Sequence, residues 1–169
     1  MSVWADLIDY LEANQADPAT YLLIFFIFCV AAAIILPIPI EIGLVINPSV
    51  FFPIKALVMG VGKGTGAFAV YYIGGKVEET VMKYVKWGWF RWLLEKSEKF
   101  VRRFGYFALY IIMSVPGMVD TIPLYIFSIL NKEGKLLSVQ GFVMANFLAG
   151  INRAFLIYAL IELFGLELF

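Results

Sequence analysis

Apolar residues in this chain are gathered into four long blocks, not spaced at a helical or strand period. The first block is Tyr21–Leu36, followed by a broken segment, Pro37–Pro53. The second, Ile54–Gly75, is long enough to span hydrocarbon at about 1.5 Å rise per residue. A charged and aromatic stretch, Lys76–Phe104, separates these from the third block, Gly105–Leu130, which Pro116-Gly117 interrupts near its middle. After a polar turn, Asn131–Leu137, the fourth block, Ser138–Gly165, is again long enough to span. This pattern predicts an all-α integral membrane protein. With no linker or low-complexity tract, residues 1–169 read as one domain with two halves, 21–75 and 105–165, joined by 76–104.

Each half carries the same device, a proline break beside a carboxylate. Pro37, Pro39 and Glu41 form the first, and Pro116, Gly117 and Asp120 the second. Proline removes a backbone donor and frees carbonyls. A bilayer tolerates such groups only where protein buries them or a watery cavity receives them. The arms either side of Pro116-Gly117 reach roughly half a bilayer each, which predicts a re-entrant hairpin. If Tyr21–Pro53 does likewise, the halves are inverted repeats, each a broken hairpin followed by a transmembrane helix. All ten Lys and Arg between residues 76 and 135 then share one face, and only Lys55 lies on the other. By the positive-inside rule residues 76–104 are cytoplasmic. Tyr84, Trp87, Trp89, Phe90 and Trp92 among the charges read as interfacial helices there, and residues 4–12 as another at the opposite interface. A full crossing by Tyr21–Leu36 is the alternative, and it moves the N-terminus to the cytoplasm.

Composition agrees with the pattern. A chain that is 62% hydrophobic and 15% charged has too little polar surface for a soluble domain of 169 residues. Zero net charge gives no case for a nucleic-acid partner. With no His, imidazole catalysis and His-metal sites are excluded. The single Cys29 cannot form an internal disulfide. No signal peptide is read at the start. An enzyme is not expected, nor a cofactor or metal.

Four ionisable residues at membrane depth are the candidate substrate- or ion-binding groups: Glu41, Asp120, Lys63 and Arg153. The carboxylates are read as proton, cation or base partners, against an alternative in which each caps the helix after its break. Lys63 and Arg153 are expected to pair with them or to bind an anionic head group, with a purely structural ion pair as the competitor. Asn47, Thr121, Asn146 and Asn152 are supporting polar residues, more often interhelical hydrogen bonds than ligand contacts. Gly60/Gly64 and Gly62/Gly66 are two small-residue ridges suited to close helix packing, and they favour a homodimer.

These residues resemble the DedA family, whose shared region is also called the VTT or SNARE-associated domain. Pro37, Pro39 and Glu41 match its first hairpin motif. Gly62, Gly66, Tyr71 and Gly74 match its next helix, Lys99–Pro116 its approach to the second hairpin, and Asn146 and Gly150 its final helix. The likeness covers roughly residues 30–165. It departs from the family pattern at Ala67, where an acid is expected, and at Met113 and Val119, where arginines are. There is weaker likeness to small multidrug-export membrane proteins. The resemblance implies a small transporter in a prokaryotic plasma membrane, with membrane lipids around it. It also implies flipping or scrambling of a lipid or lipid-linked phosphate or other amphiphile, with protons as the candidate coupling ion. A passive ion pathway, a small-molecule exporter and a non-transporting scaffold are the alternatives.

Overall fold

The computed structural model describes residues 17–35, 39–84, 99–101, 103–131 and 137–164, those at 75–84 and 130 by backbone only. Pro37, the expected N-terminal helix at 4–12, and most of the expected interfacial stretch lie outside the described residues. Six helices are labelled here in chain order: α1 Pro18–Ile34, α2 Ile42–Val45, α3 Phe52–Tyr84, α4 Tyr106–Ser114, α5 Thr121–Leu130 and α6 Val139–Phe164. No strand occurs among the described residues.

Local chemistry sets the first boundary. Asp17 caps α1, accepting from the Ala19 amide at 3.1 Å and the Thr20 amide at 3.3 Å, with Pro18 in the first turn. The Thr20 hydroxyl and these amides hold its carboxyl below the usual range. One stripe of α1, from Tyr21 and Phe25 to Cys29 and Ala33, is buried.

Among the described residues two helices are long and apolar enough to cross a membrane: Phe52–Gly74, within α3, and Val139–Phe164, α6. Beyond that apolar stretch α3 continues to Tyr84, past the expected end at Gly75. Lys, Glu, Met and Val at 76–83 change the polarity of the helix without ending it, because most of these residues favour helix.

Helix α3 is the centre of the packing, and its glycines explain why. A Cβ on Gly62 would lie 2.5 Å from the Cys29 Cβ, and one on Gly66 2.4 Å from the Ala33 Cβ. On another face, a Cβ on Gly60 would meet Ile151 at 2.7 Å, while one on Gly64 would meet Phe147 at 3.4 Å. Glycine thus lets α1 and α6 approach the same helix at near-backbone distance. These contacts also fix direction. The sequence Gly62 to Cys29, then Gly66 to Ala33, makes α1 parallel to α3. Gly60 to Ile151, then Gly64 to Val143, makes α6 antiparallel to it.

The shorter helices fill the remaining faces. α4 packs on α6 and begins beside its start, where the Tyr106 ring lies against Gly141. α5 packs on α3, and Ser128 touches Gly74 while its hydroxyl donates to the Val70 carbonyl at 3.0 Å. Asn131 completes this end. Its amide donates to the Tyr71 hydroxyl at 3.1 Å and the Leu137 carbonyl at 2.6 Å, and its oxygen accepts from the Leu137 amide at 2.8 Å.

Candidate functional site

The two helix breaks meet each other. After α4, Val115-Pro116-Gly117-Met118 makes a turn closed by the Met118 amide on the Val115 carbonyl, 3.4 Å. Gly117 has φ +72°, a conformation disfavoured for side chains with a Cβ. Its amide donates to Glu41 Oε1 at 2.7 Å. Glu41 lies just before α2 and Asp120 just before α5, yet neither carboxylate makes a capping hydrogen bond to its own helix. The capping alternative therefore fails for both residues.

Both carboxylates instead turn toward α3 and α6. Arg153 Nε donates to Glu41 Oε1 at 2.6 Å, and Nη2 also contacts that oxygen. Arg153 Nη1 donates to Asp120 Oδ1 at 2.8 Å, and Nη2 to the Met118 carbonyl at 2.7 Å. Lys63 Nζ donates to the same Asp120 Oδ1 at 3.0 Å and to the Met113 carbonyl at 2.9 Å. All four sequence-predicted ionisable residues thus form one cluster of two cations and two anions. Arg153 is fully buried, Lys63 1% and Asp120 2% exposed, and Glu41 retains 9%. Charges this deep are held by mutual pairing.

Satisfaction is incomplete in one respect. Among the described residues every donor contact falls on Glu41 Oε1 and Asp120 Oδ1, while Glu41 Oε2 and Asp120 Oδ2 are buried with no hydrogen-bond partner. Each is a buried acceptor facing no donor among the described residues. The cluster also sits at mid-helix: Lys63 is the midpoint of the apolar stretch Phe52–Gly74. The break residues Pro39 and Gly117 are exposed.

The supporting residues divide. Thr121 donates its hydroxyl to the Ala32 carbonyl at 2.7 Å, tying α5 to α1, and Tyr125 adds a bond to the Ile34 carbonyl at 3.1 Å. Asn146 donates to the Phe142 carbonyl of its own helix, and its oxygen is buried without a partner. Asn47 accepts from the Ser49 amide in the turn before α3. Asn152 is half-buried on α6 and does not join the charged cluster. Gly60, Gly62, Gly64 and Gly66 all face α1 or α6 within the chain, the close helix packing expected of such ridges.

Sequence reasoning missed Lys55 as a buried group, and it missed Asn131 and Ser128. The signal for Asn131 was weak because it opens a polar turn. Among the described residues no group of three or more His, Cys, Asp or Glu is placed to hold a metal. Comparison with known proteins adds no relative: no family model matches, and neither a curated protein nor a solved structure matches significantly.

Proposed function

We propose that this chain is a DedA-like membrane transporter in which the two breaks are the tips of re-entrant hairpins entering from opposite faces. Helix register supports this. Cys29 beside Gly62 and Ala33 beside Gly66 set α1 level with the start of α3 at one end and with Ala67 at the other. α1 therefore stops short of the end of the apolar stretch, and the chain returns through α2 to begin α3. In the second half α4 starts beside the start of α6, reaches the level of Arg153 at Met118, and α5 returns to Gly74. The arms differ in length, 17 and 4 residues in the first half against 9 and 10 in the second, so any inverted repeat is approximate.

The observation that carries the functional reading is the convergence of four ionisable groups at mid-helix with two carboxylate oxygens unpartnered. Burying ionisable groups at membrane depth is unfavourable enough to make function the default explanation. Glu41 and Asp120 offer the open acceptors that a proton occupies, and Arg153 and Lys63 offer cationic partners to a phosphate when the tips part. The substrate class is a lipid or lipid-linked amphiphile. The membrane is the plasma membrane of a prokaryote, with residues 76–104 on its cytoplasmic side.

One observation favours a second reading. The cluster is formally neutral and sealed in this conformation, as a structural ion-pair core would be. Reconstitution separates the readings. Purified protein in liposomes is assayed for quenching of a fluorescent phospholipid by external dithionite, and for proton entry by an internal pH dye. Transport predicts lipid exposure above that of protein-free liposomes. Proton entry without lipid movement would mark an ion pathway, and neither would mark a scaffold.

A further inference from the structure

A third buried cation lies away from the cluster and has no counter-charge among the described residues. Lys55 is 2% exposed, on the first turn of α3. Its Nζ donates to the Leu44 carbonyl at 2.8 Å and stands 6.0 Å from the Tyr21 ring centroid, the outer limit of a cation–π contact. No carboxylate among the described residues pairs with it, in contrast to Lys63 and Arg153. An ammonium has three donors, and one is used. A buried charge without an opposite charge is unfavourable, and an anion beside it would offset that cost.

The surroundings give that anion a chemical class. Lys55 lines a groove of about 460 Å³ between the 44–52 turn and the end of α6, walled by Leu44, Phe52, Tyr158 and Ile161 with Ser49 at its rim. The Phe52 ring packs on Phe155 and Tyr158, and Lys55 lies only about 4.5 Å along the axis from the start of α3. Aromatic residues beside a cation at the end of two spanning helices mark headgroup depth. Tyr158, in the groove wall, also hydrogen-bonds the exposed Glu162, so one carboxylate stands beside that wall on the same helix.

We infer that this groove is a phosphate-binding site separate from the central cluster, with Lys55 Nζ as its charged donor, the Ser49 hydroxyl as its rim donor and an apolar wall for an acyl chain. The phosphate is either the headgroup of an anionic lipid or the free ion. This inference does not depend on transport.

Native mass spectrometry from mixed micelles tests it, with phosphatidylglycerol and phosphatidylcholine at equal concentration. Wild-type protein is expected to retain phosphatidylglycerol selectively. Lys55→Gln should weaken retention about tenfold, the loss of one charge-assisted hydrogen bond, and Lys55→Arg should keep most of it. Ser49→Asp, at an exposed position that leaves folding intact, should weaken retention by repulsion and carries the test if Lys55→Gln does not fold. Competition by millimolar inorganic phosphate assigns the free ion, and failure to compete assigns the lipid. Equal retention of both lipids with no phosphate binding overturns the inference. So does wild-type retention in Lys55→Gln, or in Ser49→Asp where Lys55→Gln does not fold.

Discussion

Replacing Arg153 with Met is the sharpest perturbation of the central cluster, because one guanidinium serves three acceptors. Arg153 contacts Glu41 Oε1, Asp120 Oδ1 and the Met118 carbonyl, and it is fully buried. Without it Glu41 keeps, among the described residues, the Gly117 amide alone, and Lys63, bonded to Asp120, is the one cation left in the cluster. Breaking a buried pair by removing one partner typically destabilises by about 3–5 kcal/mol. At 2–4 °C per kcal/mol for a chain of this size, the expected fall in Tm is roughly 6–20 °C. Adding Glu41→Gln to Arg153→Met removes the stranded charge and leaves Lys63 paired with Asp120. The double variant should therefore be more stable than Arg153→Met alone, a coupling of at least about 1 kcal/mol for groups in direct contact. Thermal unfolding in detergent, followed by near-UV circular dichroism, measures all three variants. An Arg153→Met protein that melts with wild type, or a double variant whose losses simply add, would refute the pairing.

Other expectations concern packing, the turn, the first cap and topology. Gly62→Leu and Gly66→Leu should destabilise strongly, because Cys29 and Ala33 already stand where the new Cβ would lie, whereas Gly64→Ala should be tolerated; melting temperatures decide. Gly117→Ala should lower stability by about 1–2 kcal/mol through its left-handed backbone although space around it is open, read in the same melts. Asp17, with its carboxyl lowered by Thr20 and Ala19, stabilises the fold above its unfolded pKa, and that contribution is lost as pH falls through the folded value. Asp17→Asn should flatten the acid limb of stability between pH 6 and pH 2, and an unchanged limb would reject the cap's role. Single cysteines at Lys96 and Asp17 in a Cys29→Ser background should be labelled from opposite sides of the membrane; labelling from one side would reject the hairpin topology.

The sequence made the participants of the cluster legible, but not their wiring. Glu41, Lys63, Asp120 and Arg153 stand out because a charge inside apolar text has few explanations. That one guanidinium bridges both breaks depends on α6 lying antiparallel to α3, a tertiary fact without a local signature. The Met113 carbonyl accepts from Lys63, and cations come from α3 and α6 instead of from the second break. Glycine ridges announced close packing, but periodicity does not say whether the partner is internal. Lys55 was legible only as the lone base of its face. Its burial depends on a turn that brings the Leu44 carbonyl to it, and no spacing rule encodes that. The end of α3 was missed for a related reason, since polarity marks where an apolar stretch stops and says nothing of where the helix stops.

The most direct test compares lipid flux of wild type with that of the Arg153→Met/Glu41→Gln double variant in dithionite-quenched proteoliposomes, below the melting temperature of both. The double variant keeps a balanced Lys63–Asp120 pair, so it separates a site used in translocation from an ion-pair core that only holds the fold together. The expected result is lipid exposure above protein-free vesicles for wild type and its loss in the folded double variant. Equal flux in the two proteins, or none in wild type, would contradict the assignment of transport to this cluster.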